Sequence, residues 1–162
     1  MEKSTSFEQL QKEFVCPTHP EICDALLQET FAENQHDFWM TKQYLQRYHL
    51  FWSMIMQLHN QRSRAKKEYN RQAKKMLEIV INNLVRERNH SLGSFQKLVF
   101  DLHGFTVKGA LDYVTDIKSG MENSEARHRA VTLITGHGER VGGASTIKAE
   151  ILRNFRENVQ EN

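Results

Sequence analysis

Asp101 and His103 stand two residues apart in the run Leu98-Val99-Phe100-Asp101-Leu102-His103-Gly104. On an extended strand, residues at that spacing leave the same face, so a carboxylate comes to lie beside an imidazole. Imidazole is the side chain that exchanges protons near neutral pH, and a neighbouring carboxylate orients it or favours its charged form. Such a pair suits general acid–base cleavage of a phosphodiester. RNA brings its own 2′-hydroxyl nucleophile, so this chemistry calls for no metal and no cofactor. Gly104 lets the backbone turn sharply after the pair. A second polar cluster, Thr135-Gly136-His137-Gly138, follows the apolar run Ala130-Val131-Thr132-Leu133-Ile134. Four glycines fall between positions 136 and 143. Arg140 lies in that glycine-rich turn, and Lys148 lies one turn into the segment that follows. The unsatisfied N–H groups and the dipole at a helix start favour a phosphate there, with the two cations adding charge-assisted bonds. Alone, Asp-x-His is an unspecific spacing, and His137 by itself reads as a loop histidine. A metal held by two histidines and one aspartate from separate strands is the weaker reading of the same residues.

These groups need elements that bring them together. Lys97 to His103 reads as a buried strand. Thr106 caps a helix whose inner face is Val107, Ala110, Leu111, Val114 and Ile117. Gly120 to Arg127 is a polar connection. Ala130 to Thr135 reads as a second strand, and Ser145 opens a last helix with Ile147, Ile151, Leu152 and Phe155 inward. Strand, helix, strand, helix implies a parallel strand pair joined by a right-handed crossover. Both strands then end at one edge, where α/β sheets place ligands.

Upstream the periodicity is helical. Phe7, Leu10 and Phe14 recur at helical spacing, a break follows at Cys16-Pro17-Thr18-His19-Pro20, and Ile22, Ala25, Leu26 and Phe31 form a second face. A third helix holds Trp39, Met40, Tyr44 and Leu45. Residues 40–88 contain neither proline nor glycine, so they run as one long helix or a helical hairpin. Met76, Leu77, Val80, Ile81 and Leu84 form an apolar stripe in its second half. Gly93-Ser94 ends it. The organisation expected is a helical segment over 4–49, a basic helical connector over 50–92 and an α/β domain over 96–162.

The formal net charge of +2 conceals segregation. Residues 1–50 carry −4, residues 51–100 carry +7 and residues 101–162 carry −1. The window from Gln61 to Lys75 holds seven bases (Arg62, Arg64, Lys66, Lys67, Arg71, Lys74 and Lys75) against one acid. Such a face is either a solvated helix surface or a sequence-independent grip on nucleic-acid phosphates. The start of the chain lacks the apolar core of a signal peptide, and no apolar run reaches membrane-spanning length, so a cytoplasmic protein with no membrane partner is expected. Cys16 and Cys23 have poor zinc spacing and read as free thiols in packing roles.

Two resemblances refine this reading. Leu98 to Val107, followed by Ala110-Leu111, resembles the opening of a Smr (small MutS-related) domain. Ile134-Thr135-Gly136-His137-Gly138, with Gly142-Gly143 and Ile147-Lys148, resembles its second signature, a Thr-Gly-x-Gly turn. The likeness covers residues 96–156. It implies an α/β fold with nicking or RNA-cleaving endonuclease activity, in which Asp101 and His103 match the Asp-x-His element and Gly136 and Gly138 the glycine turn. In eukaryotic members the domain is tied to cleavage of mRNA on stalled ribosomes. The family's last two strands have no counterpart before Asn162, so a C-terminally shortened domain is expected. The N-terminal segment more weakly resembles a CUE-type ubiquitin-binding module. Phe14-Val15-Cys16-Pro17 stands at its aromatic–proline turn, Ile22, Leu26 and Leu27 in its second helix, and Tyr44-Leu45 at its di-leucine. That likeness implies ubiquitin contact through Phe14, Val15, Pro17, Tyr44 and Leu45. The expectation is therefore an RNA endonuclease of mRNA surveillance. A non-catalytic RNA- or ubiquitin-binding protein and a DNA-nicking enzyme are the alternatives.

Overall fold

A computed structural model describes residues 2–15, 22, 24–123, 130–135 and 146–158, with the backbone alone for 2–5. The chain divides into two compact units, Met1–Gln57 and Leu58–Asn162.

Among the described residues the first unit is all-helical. Helices α1 (Glu2–Phe14) and α2 (Asp24–Glu33) pack on the beginning of α3 (Phe38–Lys67) around Leu10, Phe14, Ile22, Leu27, Phe31 and Leu45. Each of these side chains is buried, which is worth roughly 1.5–3 kcal/mol apiece against exposure. Leu10 with Phe14 and Leu27 with Phe31 are i,i+4 pairs that stack one turn above the other. The Phe7 and Phe31 rings meet at 5.4 Å. Gln35 and His36 both take left-handed backbone after α2, and the Asp37 carboxylate accepts the Met40 N–H at 2.8 Å to start α3. Asp37 thus caps the helix's otherwise unsatisfied first turn. α3 runs unbroken past residue 49 to Lys67, inside the stretch without glycine or proline expected to form one long helix or a helical hairpin. Trp39 and Met40 project outward rather than into this core.

In the second unit, the end of α3 turns at Glu68–Asn70 into α4 (Arg71–Ser91). A one-turn helix α5 (Ser94–Lys97), strand β1 (Val99–Asp101), helix α6 (Val107–Glu122), strand β2 (Thr132–Ile134) and helix α7 (Thr146–Asn154) follow. β1 and β2 pair in parallel, with Val99 opposite Thr132, Phe100 opposite Leu133 and Asp101 opposite Ile134. The parallel pair and the all-α half are as the sequence implied; the strands are shorter. Lys97 belongs to α5, which left-handed Gly93 and Leu98 bracket, so the chain enters the sheet only at Val99.

Thr106 does cap α6, its hydroxyl accepting the Gly109 N–H at 3.0 Å. α6 buries Gly109, Ala110, Tyr113, Val114 and Ile117, and both α4 and α7 contact it. The α4 row that is buried is Ile81, Val85 and Asn89, while Met76 and Val80 face outward. The expected stripe was therefore rotated: a helix in contact through a narrow i,i+4 row exposes apolar residues beside it.

Candidate functional site

β1 ends at Asp101, and the chain leaves the sheet through left-handed Gly104. One Asp101 oxygen, Oδ1, accepts both the His103 backbone N–H at 2.9 Å and the His103 Nδ1–H at 2.6 Å. The backbone bond closes a two-residue turn that brings the imidazole back over the carboxylate. The other oxygen, Oδ2, lies 3.5 Å from Arg88 Nη1. Asp101 is thus held at both oxygens, by the imidazole on one side and a guanidinium from α4 on the other. The Nδ1–H bond fixes the tautomer of a neutral His103 ring, with the basic lone pair on Nε2. The His103 side chain is 37% exposed and Asp101 21%, which suits a group that meets substrate and a partner that orients it.

α4 also holds the backbone of the site. Asn89, 2% exposed, donates Nδ2–H to the Asp101 carbonyl at 2.8 Å and accepts the Asp101 N–H on Oδ1 at 2.8 Å. Its remaining capacity goes to Val85 O at 3.1 Å and the Ser94 hydroxyl at 3.1 Å. A side-chain amide here replaces a neighbouring strand, because parallel pairing turns the Asp101 amide and carbonyl away from β2. One pair of turns earlier, Asn82 Oδ1 accepts the Thr106 N–H at 3.0 Å. A Cβ at Gly109 would collide with that Asn82 amide, so glycine leaves the amide the room in which it holds Thr106. His59 of α3 donates Nε2–H to the Gly104 carbonyl at 2.7 Å.

Arg86 forms an ion pair with Asp116 at 2.7 Å and lies 4.8 Å from the Tyr113 ring centre. Burial pushes the Tyr113 hydroxyl above its ordinary range; Arg86 pulls it down and Asp116 adds a smaller push upward. That hydroxyl has no hydrogen-bond partner among the described residues.

Asp101, His103, Gly104 and Thr135 meet at one sheet edge, since the Leu102 N–H bonds the Ile134 carbonyl at 2.8 Å immediately before Thr135. Lys148 is exposed in the first turn of α7. Gly136, His137, Gly138 and Arg140 lie outside the described residues, as does Pro17. Among the described residues no three His, Cys, Asp or Glu side chains cluster to hold a metal ion.

The basic residues lie at the other end of α4. Arg71 and Arg88 are 17 residues apart on it, about 26 Å at roughly 1.5 Å per residue. Arg64, Lys66, Lys67, Arg71 and Lys75 are exposed around the α3–α4 turn. Arg62 and Lys74 instead converge on Glu78, at 2.9 and 3.7 Å. No described helix is long and apolar enough to cross a membrane.

Of the residues expected at a ubiquitin surface, Phe14 and Leu45 are buried in the first unit's core. Val15 and Tyr44 pack half-buried against that core. Phe14 and Leu45 therefore present no apolar surface to a partner; a helical face of this amphipathicity is used up in closing the three-helix core.

Sequence reasoning missed Arg88, Asn89, Asn82 and His59. A signal existed for the two asparagines. They stand seven apart on one face of α4, in line with the buried Ile81 and Val85, where an amide must find partners. Comparisons with family models, with curated proteins and with solved structures return no match for this chain.

Proposed function

We propose that this chain is a Smr-type endonuclease that cleaves RNA, with Asp101 and His103 as its catalytic pair. The observation that carries the reading is the 2.6 Å Nδ1–H···Oδ1 bond at the carboxyl end of β1. With Nδ1 bonded to Asp101, a neutral His103 uses Nε2 to take the proton of a ribose 2′-hydroxyl. The 2′-oxygen forms a bond to the adjacent phosphorus, the bond to the 5′-oxygen breaks, and the departing oxygen takes up a proton from water. The products are a 2′,3′-cyclic phosphate and a 5′-hydroxyl. Asp101 stabilises the imidazolium that forms in the first step. The Smr resemblance supports the same substrate class and suggests mRNA on stalled ribosomes. Phosphate contacts would come from Lys148, from the glycines that follow Thr135 in the sequence and from the exposed cations around the α3–α4 turn.

His103→Ala should lower cleavage of single-stranded RNA by about 10²–10⁴-fold while leaving the unfolding midpoint unchanged. Cutting of RNA in chelator with a cyclic-phosphate end supports the pathway. Undiminished cleavage by His103→Ala refutes it; cutting of a matched DNA strand moves the reading to DNA nicking, and cutting of neither strand moves it to a binding protein.

A further inference from the structure

Tyr69 stands at the apex of the α3–α4 hairpin with 90% of its surface exposed. Its backbone is left-handed, with φ +56°. The Asn70 N–H bonds the Ala65 carbonyl at 2.9 Å and the Tyr69 N–H bonds the Lys66 carbonyl at 3.2 Å. These two bonds close α3 in the motif whose left-handed position is ordinarily filled by glycine. Asn70 then starts α4 at once, its side chain accepting the Ala73 N–H at 2.9 Å. A bulky aromatic is therefore held where glycine is cheaper, and the ring gains no packing in return. Two of the other non-glycine residues in left-handed backbone, His36 and Leu98, differ on this point. The His36 ring meets Phe31 at 5.2 Å, and Leu98 is half-buried. Among the described residues the Tyr69 side chain makes no hydrogen bond, ion pair or ring contact. Around it stand Arg64, Lys66, Lys67, Arg71 and Lys75, all exposed, with Glu68 as the one acid in the turn.

We propose that the hairpin tip is a single-stranded RNA-binding site in which the Tyr69 ring stacks on a nucleobase while the surrounding cations hold the flanking phosphates. An exposed aromatic ringed by cations is the arrangement that binds single strands without reading their sequence. A duplex, whose bases are already stacked on one another, offers such a ring no face. The choice of RNA rests on the function proposed above, but the stacking does not depend on cleavage. From Arg71, two residues past the tip, α4 runs about 26 Å to Arg88, which a stacked strand rising roughly 3.4 Å per nucleotide covers in about eight nucleotides. A strand held at Tyr69 could thus reach His103.

The test is a binding titration of a labelled RNA strand of about ten nucleotides to full-length protein carrying His103→Ala, so that no cutting intervenes. Tyr69→Gly should weaken binding about five- to 150-fold, the equivalent of one lost stacking contact. Its melting temperature should equal or exceed that of the parent, because glycine relieves the left-handed backbone. Tyr69→Trp should keep the affinity. The idea is overturned if Tyr69→Gly binds the strand as well as the parent does, or if a matched RNA duplex loses as much affinity as the single strand. A loss seen only with anionic phospholipid vesicles also overturns it. If His103→Ala leaves cleavage intact while Tyr69→Gly still loses the strand, the catalytic reading falls and this one stands.

Discussion

Asn89→Ala isolates what α4 does for the site. In the parent, the Asn89 amide satisfies the Asp101 N–H and C=O at 2.8 Å each and also bonds Ser94 and Val85. Alanine leaves two polar groups of Asp101 and the buried Ser94 hydroxyl with lost partners. An orphaned buried group costs about 1–3 kcal/mol, and partial rehydration at the sheet edge offsets some of that, so the loss should be about 3–4 kcal/mol. Against a typical total of about 5–15 kcal/mol the protein still folds. At a urea dependence near 2 kcal/mol per molar, the unfolding midpoint should fall by about 1.5–2 M. Hydrogen exchange gives a local readout, because the Asp101 amide loses its acceptor and should exchange faster than the Leu102 amide, which β2 still holds. Asn89→Asp keeps the shape and the acceptor but sets an oxygen against the Asp101 carbonyl. It should be at least as damaging as alanine. A midpoint shift under about 0.5 M for Asn89→Ala, or full recovery by Asn89→Asp, would refute the assignment of these bonds as the anchor of β1.

Two further outcomes follow from the packing of α4 on α6. Gly109→Ala would ordinarily stabilise a helix by about 1 kcal/mol. Here the new methyl meets the Asn82 amide, so unfolding in urea should show a net loss of about 1–3 kcal/mol, and a stabilised variant would sink that contact. Tyr113 gives a pH effect of definite sign. Its folded-state pKa is raised, first by burial, so below about pH 10 both states keep the proton and it makes no difference. Above that the unfolded chain loses the proton first, and stability falls as pH rises towards the folded value. Tyr113→Phe should flatten that fall in the urea midpoint, and an unchanged slope would count against the burial.

The contact between Asp101 and His103 was legible in the sequence because it is local: the two need only a strand end and a turn to meet. The cap at Thr106 and the parallel strands were readable for the same reason, since each rests on short-range chemistry or on a connection too long for a hairpin. What α4 contributes was not. Arg88 and Asn89 look like an ordinary polar end of a basic helix, and only the sheet's need for partners at Asp101 gives them work. The α4 stripe was misplaced because apolar residues such as Met76 and Val80 can lie outside a narrow contact row. The core position of Leu45 follows from three-helix closure, which periodicity alone does not distinguish from a binding face.

Asn89 has one more effect, on how the sheet can recruit other chains. A strand edge with unpaired amides is a template for any extended segment, and proteins block such templates or suffer edge-to-edge association. At β1 the block is a side chain from a helix, which satisfies the amide and carbonyl of Asp101 and fills the place of an incoming strand. Two copies of this chain cannot zip together there without first displacing α4. Among the described residues β2 carries no such guard, and Ile134 on it is 42% exposed. The Asn89 amide thereby closes the outer side of β1 to an added strand at Asp101, from the same chain or another.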